Sequence, residues 1–197
     1  DSSDKFFRIF TDLLSRERIP SGKRLLLFGA LNVTDKRKGI DYLIEALRRM
    51  EKQDVELVVF GQVKDDIRGL FPVPIHSMGY LSDESKIVAL YNAVDMFITS
   101  SLEENLPNTI MESMACGTPC VGFEIGGIPE MIDHRVNGYV ANYKDAGDLA
   151  NGIQWVLEHE DRLALSDACV KKVQENYTEE VVAKQYTALY EKLLKGE

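Results

Sequence analysis

Apolar residues along this chain follow two alternating rhythms. Short apolar runs such as Leu25-Leu-Leu-Phe28, Leu57-Val-Val-Phe60 and Met96-Phe-Ile98 are bounded by glycine or polar turns, as strands are. Between them, apolar residues recur three and four apart, as in Ile40, Leu43, Ile44 and Leu47, which is one face of a helix. This spacing predicts strands over 24–29, 55–60, 75–78, 95–99, 119–123 and 138–141. It predicts helices over 4–18, 39–52, 83–92 and 107–116, a short helix or turn near 65–70 and another short helix starting at Pro129-Glu130. The chain then becomes helical, over 145–159, 160–175 and 178–194. Strands alternating with helices imply parallel pairing through right-handed crossovers, so the expected fold is α/β, a parallel sheet flanked by helices. In such a sheet a ligand lies beyond the carboxyl ends of the strands, where the winding reverses. Gly29 to Lys38, Gly79 to Leu81, Glu104 and Gly126-Gly127 each follow a strand end and would converge on one crevice.

Composition narrows the class. A chain of 197 residues with 45% apolar content fits one domain with a sizeable core. No apolar run approaches the ~20 residues needed to span a bilayer and no secretory leader opens the chain, so a cytoplasmic location is expected. The absence of an initiator Met and the immediate amphipathic stretch Phe6-Phe7-Ile9-Phe10-Leu13-Leu14 suggest a piece of a longer protein. The net charge of −9 argues against nucleic acid or an anionic membrane as the main partner. Lys36-Arg37-Lys38 is the local exception, and by charge alone it reads as a solvated loop. Cys116, Cys120 and Cys169 lack Cys-x-x-Cys spacing and read as reduced, structural thiols. His76, His134 and His159 have no i, i+4 pairing and no sequence partner for a triad, so no metal site is expected.

The densest chemistry lies in Ser100 to Cys120. Glu104 falls in a loop after the fourth strand, and Glu112 falls inside the helix that Pro107 opens and Gly117 stops. A carboxylate accepts hydrogen bonds from two neighbouring hydroxyls at once, which suits a ribose diol or a hexose face. Free amides at a helix start suit a diphosphate, and Leu106, Asn108 and Thr109 carry amides there while Pro107 has none. Asn108 and Thr109 read equally as plain capping residues.

The Glu104 to Glu112 spacing resembles the Glu-x7-Glu motif of retaining glycosyltransferases with the GT-B fold, the group 1 glycosyl transferases. Leu25 to Ala30 with Lys38-Gly39, Leu57 to Gly61, Gly79-Tyr-Leu81, Ala93 to Ile98, Gly126 to Glu130 and Asn137-Gly-Tyr139 follow that family's order, from about residue 23 to about residue 150. The resemblance implies a Rossmann-like lobe that binds a nucleoside-diphosphate sugar, with UDP the commonest carrier, for retaining transfer to a saccharide or lipid-linked acceptor in polysaccharide or lipopolysaccharide assembly. It implies that Lys38 and Glu104 are catalytic, Lys38 meeting the diphosphate and Glu104 the transferred sugar. Donor binding would fall to Gly29, Arg37, Tyr80, Leu81, Leu106, Asn108, Thr109 and Glu112, with Glu112 on the ribose and Tyr80-Leu81 against the base. Tyr80 reads equally as a strand-end core residue. No metal and no cofactor is implied. Residues 1–20 would be a linker helix from a missing N-terminal lobe that carries the acceptor site and any membrane contact, 21–177 the donor domain, and 178–197 a helix packing back toward that lobe or covering its own domain.

One departure from the family pattern is visible. An Arg commonly follows the strand-end glycine as a second cation, and Ala30 stands there, so Arg37 or Lys36 is left to replace it. Three other readings compete. Glycoside hydrolysis by the carboxylate pair fits this fold poorly. A dinucleotide-binding module lacks its Gly-x-Gly-x-x-Gly in Phe28-Gly-Ala-Leu-Asn32. A non-catalytic assembly lobe has Ala30 in its favour.

Overall fold

Along the first strand, side chains alternate between two separate cores. Leu26 and Phe28 join one buried cluster, Leu25 and Leu27 the other, as the two-residue period of a strand buried on both faces requires. The computed structural model describes residues 22–32, 35–50, 54–62 and 68–195. Within them run β1 (Arg24–Asn32), α1 (Ile40–Arg49), β2 (Val55–Gln62), β3 (Ile75–Gly79), α2 (Glu84–Ala93), β4 (Met96–Thr99), α3 (Asn108–Ala115), β5 (Cys120–Phe123), α4 (Ile128–Met131), β6 (Gly138–Ala141), α5 (Ala146–Glu158), α6 (Arg162–Asn176) and α7 (Glu179–Lys195). The strands form one sheet in the order β3-β2-β1-β4-β5-β6, with every pairing parallel. The winding therefore reverses between β1 and β4.

Helices cover both faces. Leu43, Ile44 and Leu47 of α1 and Leu149, Ile153, Val156 and Leu157 of α5 pack on one side. Leu90 and Tyr91 of α2, Ile110 and Met114 of α3 and Cys169 of α6 pack on the other. Asp83, Asp145 and Asp161 cap α2, α5 and α6 through their carboxylates. Asp95 binds Arg24, Arg162 and the Leu25 amide, which ties β1 to α6.

Most expected elements are present, with three differences. β1 runs three residues beyond 29, because a register shift after Gly29 lets Asn32 pair opposite Gln62. Pro107 is the residue before α3 rather than its first helical residue. α7 buries none of its residues, and Tyr186, Leu189, Tyr190, Leu193 and Leu194 are exposed, so this apolar face is left uncovered among the described residues. The helix expected over 4–18, and half of the element expected near 65–70, lie outside the described residues. Among the described residues no helix is long and apolar enough to cross a membrane.

Candidate functional site

Loops from the carboxyl ends of the strands meet at the β1/β4 gap, and the sequence of each explains why it stays there. Asp35 accepts the Arg37 N–H at 2.9 Å and folds Lys36–Lys38 into a single 3-10 turn. Gly39 ends that turn with φ of 61°, and a Cβ there would collide with the Ser100 carbonyl oxygen. Ser100 Oγ donates to the Lys38 carbonyl at 2.9 Å, and the Leu102 N–H donates to the Arg37 carbonyl at 2.7 Å. The loop after β4 is thus stitched to the turn after β1, and Lys38 Nζ lies 2.6 Å from Glu104 Oε1. Both side chains are largely shielded, at 32% and 15% exposure.

The other flank of the Glu104 loop is held by two further turns. Gly126, at φ of 55°, packs against the Glu104 carbonyl where a Cβ would not fit, and the Gly127 N–H donates to the Asn105 carbonyl at 2.5 Å. From beyond β6, the Tyr143 hydroxyl donates to the Leu102 carbonyl at 3.0 Å.

A cavity of about 480 Å³ opens where these loops meet, lined by Gly29, Ala30 and Asn32 of β1, Phe60 and Gly61 of β2, Tyr80 and Leu81 after β3, Asp35, Arg37 and Lys38 at the turn, Thr99, Glu104 and Thr109. Behind it α3 starts at Asn108, and Pro107 offers no side-chain acceptor to its first amides. A helix N-terminus of this kind favours an anion. Arg37 spreads its guanidinium across Asp35, with Nη2 to Oδ2 at 2.7 Å and Nε at 3.2 Å from both oxygens. That hydrogen bond lowers the Asp35 carboxyl to about 2 and raises Arg37 above its ordinary value. A model of the glycosyl transferases group 1 family matches residues 22–159.

The chain belongs to that family.

Among curated relatives, an N,N'-diacetylbacillosaminyl-diphospho-undecaprenol alpha-1,3-N-acetylgalactosaminyltransferase of Campylobacter jejuni is 27% identical over 205 residues, covering 98% of this chain and 52% of the relative. The N-acetyl-alpha-D-glucosaminyl L-malate synthase of Bacillus anthracis is 29% identical over 119 residues, covering 60% of this chain and 31% of that protein. The chain thus spans about a third to a half of these relatives' length. Among solved structures, a Rickettsia africae glycosyltransferase superposes with a TM-score of 0.80 at 22% identity, over 95% of this chain and 52% of that one. Anabaena HepE, in complex with UDP-glucose, gives 0.76 at 20% identity, over 93% and 52%. The fold is that of a GT-B glycosyltransferase lobe.

Of the positions that the group 1 resemblance singled out, Gly29, Arg37, Lys38, Tyr80, Leu81, Glu104 and Thr109 line the cavity. Leu106, Asn108 and Glu112 do not. Leu106 packs over Gly127, and Asn108 is exposed at the start of α3. Glu112 lies one helical turn beyond Thr109 on the same face, where Tyr91 Oη donates to its Oε2 at 3.2 Å. Tyr80 is 69% exposed, so it is a cavity wall and not a core residue. Gly29 is an inner strand residue whose missing Cβ makes room for the Phe60 ring. Asn32, Asp35, Phe60, Gly61 and Thr99 are further lining residues. Gly61 carried a signal, a glycine after the apolar run Leu57–Phe60, and it sits at φ of 112° one residue before the end of β2. Tyr91 and Tyr143 carried none, since each acts through a contact distant in sequence.

The histidines sit elsewhere. His76 pairs with Glu56, His134 Nδ1 accepts the Val140 N–H, and His159 stacks on Trp155.

Proposed function

We propose that this chain is the donor-binding, C-terminal lobe of a retaining hexosyltransferase that takes a nucleoside-diphosphate sugar, UDP-linked, and serves polysaccharide or lipopolysaccharide assembly. The observation that carries the reading is the junction of Lys38, Glu104 and the uncapped start of α3 around one cavity at the β1/β4 switch point. Anabaena HepE, of the same fold, is known in complex with UDP-glucose, and the C. jejuni relative is named for transfer to a lipid-linked diphospho-sugar. Family membership supports glycosyl transfer as the reaction.

The chemistry assigned to each residue follows from its type and place. Bond breaking between sugar and diphosphate builds negative charge on the leaving oxygens, and preorganised donors there lower the barrier. Lys38 and the amides of Asn108 and Thr109 are those donors. Glu104 accepts hydrogen bonds from hydroxyls of the transferred sugar, and Glu112, oriented by Tyr91, accepts from the ribose. Tyr80 and Leu81 flank the base. Gly29 and Phe60 keep the floor close and apolar. Leu106 shields the sugar end beside Gly127. Charge neutralisation by side chain and helix end requires no metal and no cofactor.

The remainder of the enzyme, an N-terminal lobe reached through residues 1–20, would bring the acceptor. Residues 21–177 are assigned to donor binding, and the apolar face of α7 within 178–197 to contact with that lobe. The test is donor turnover by the full-length protein, read as release of nucleoside diphosphate from a nucleotide-sugar with and without chelator. Release that survives chelator and is lost in Lys38→Ala supports the reading. A full-length protein that binds nucleotide but releases none would return the chain to a non-catalytic assembly role.

A further inference from the structure

Every described cation that lines the cavity already faces a carboxylate. Arg37 is forked onto Asp35, and Lys38 is paired with Glu104. The four charges sum to zero, whereas the ligand assigned to this cavity carries about two negative charges as an intact donor and up to about three as a free nucleoside diphosphate. Lys38 cannot give its full charge to a diphosphate while Glu104 holds it at 2.6 Å. Diphosphate and Glu104 therefore compete for one ammonium.

What decides that competition is what Glu104 receives in exchange. Its side chain is 15% exposed, so separation from Lys38 leaves a shielded carboxylate short of a partner beside a second anion. The hydroxyls of a hexose are hydrogen-bond donors and can take the place of the ammonium. A free nucleoside diphosphate brings no hydroxyl to that position. We propose that the Lys38–Glu104 ion pair discriminates intact donor from spent nucleotide: the sugar opens it by satisfying Glu104, and its closure after transfer helps to expel the diphosphate. This rests on the donor-site reading above and adds to it a role in product release.

The direction of the expected effect separates this from a simple loss of contact. If Glu104 only bound sugar, its loss would leave free nucleotide affinity unchanged. A competitor for Lys38 predicts a gain. Calorimetric titration of the full-length protein with UDP and UDP-glucose, or with the guanosine or adenosine counterparts if the parent prefers them, reads this directly. Glu104→Gln should tighten the free diphosphate by roughly three- to tenfold and weaken the sugar donor, collapsing the ratio between them. In a Lys38→Gln background the same change should alter diphosphate affinity by less than about twofold, because the contested ammonium is gone. Glu103→Gln, which removes an adjacent exposed carboxylate, should also have less than about a twofold effect. Unchanged or weaker diphosphate binding by Glu104→Gln overturns the inference and leaves the donor reading intact. An equal gain without Lys38 overturns it too, since a general relief of negative potential then suffices. A parent protein that binds none of these nucleotides overturns both.

Discussion

Asp35 determines how much of Arg37 is available to a ligand. The bidentate contact between them leaves the guanidinium at the edge of the cavity, 65% exposed, with its fork occupied. On the proposed donor-site reading, Arg37 would stand in for the cation that the group 1 resemblance expects at Ala30 only to the extent that Asp35 shares it. In the full-length enzyme, Lys38→Ala should lower turnover most, Arg37→Ala less, and Lys36→Ala by less than about twofold, because Lys36 is exposed and does not line the cavity. Steady-state donor turnover of the three variants checks the order. The Asp35 carboxyl has a folded value of about 2, below its ordinary 3.8, so what it contributes to the turn is complete above about pH 4 and is lost as pH falls through about 2. A carbon-13 titration of Asp35 should therefore show it ionised at pH 3, and Arg37→Ala should return its midpoint toward 3.8. Glu112 answers to a different partner. Glu112→Ala should weaken free nucleoside diphosphate by on the order of tenfold or more, the cost of one charged hydrogen bond, whereas Glu104→Ala should not weaken it. Equal losses in the two would contradict the division between ribose and sugar.

At the scale of elements, the Glu104 loop is positioned by its neighbours rather than by its own sequence. Leu102 is held at its amide by Arg37 and at its carbonyl by Tyr143, whose ring packs edge-on against Phe123. Tyr143→Phe removes only the hydroxyl. It should lower donor turnover a few-fold while leaving free nucleotide affinity and the unfolding midpoint nearly unchanged, a split that a purely structural role would not give. Gly39→Ala is the severe counterpart, because a left-handed backbone and a collision with Ser100 coincide. It should cost roughly 1–3 kcal/mol of stability by denaturant unfolding. These contacts also mark where sequence reading stops. Alternating strands and amphipathic helices were legible because periodicity is local, and Glu104, Lys38 and Thr109 were legible because they follow strand ends or open a helix. The extension of β1 to Asn32 depends on its pairing with β2, and the roles of Tyr91 and Tyr143 depend on contacts 21 and 41 residues away. None of these leaves a local pattern.

For the whole molecule, the central claim is that one end of the sheet binds a nucleotide-sugar. The chain itself offers a contrast, since a second polar cavity of about 330 Å³ lies near Asn92, Cys116 and Ser166, beside Asp95 just before β4 and Pro119 just before β5. Unlike the uncapped start of α3 at the first, the helix start beside it, α6 at Arg162, is capped by Asp161, and Arg162, the described cation that lines it, is held by Asp95. On the proposed two-lobed reading, in which the chain spans a third to a half of its relatives' length and α7 exposes an apolar face, weak binding and little transfer are expected from residues 1–197 alone. Titration of the nitrogen-15-labelled chain with UDP in the presence of chelator, followed amide by amide, tests the claim most directly. The account predicts saturable shifts at Lys38, Tyr80, Asn108, Thr109 and Glu112, with Asn92, Cys116 and Ser166 unmoved. Shifts confined to the opposite end, or none at millimolar UDP, would contradict it.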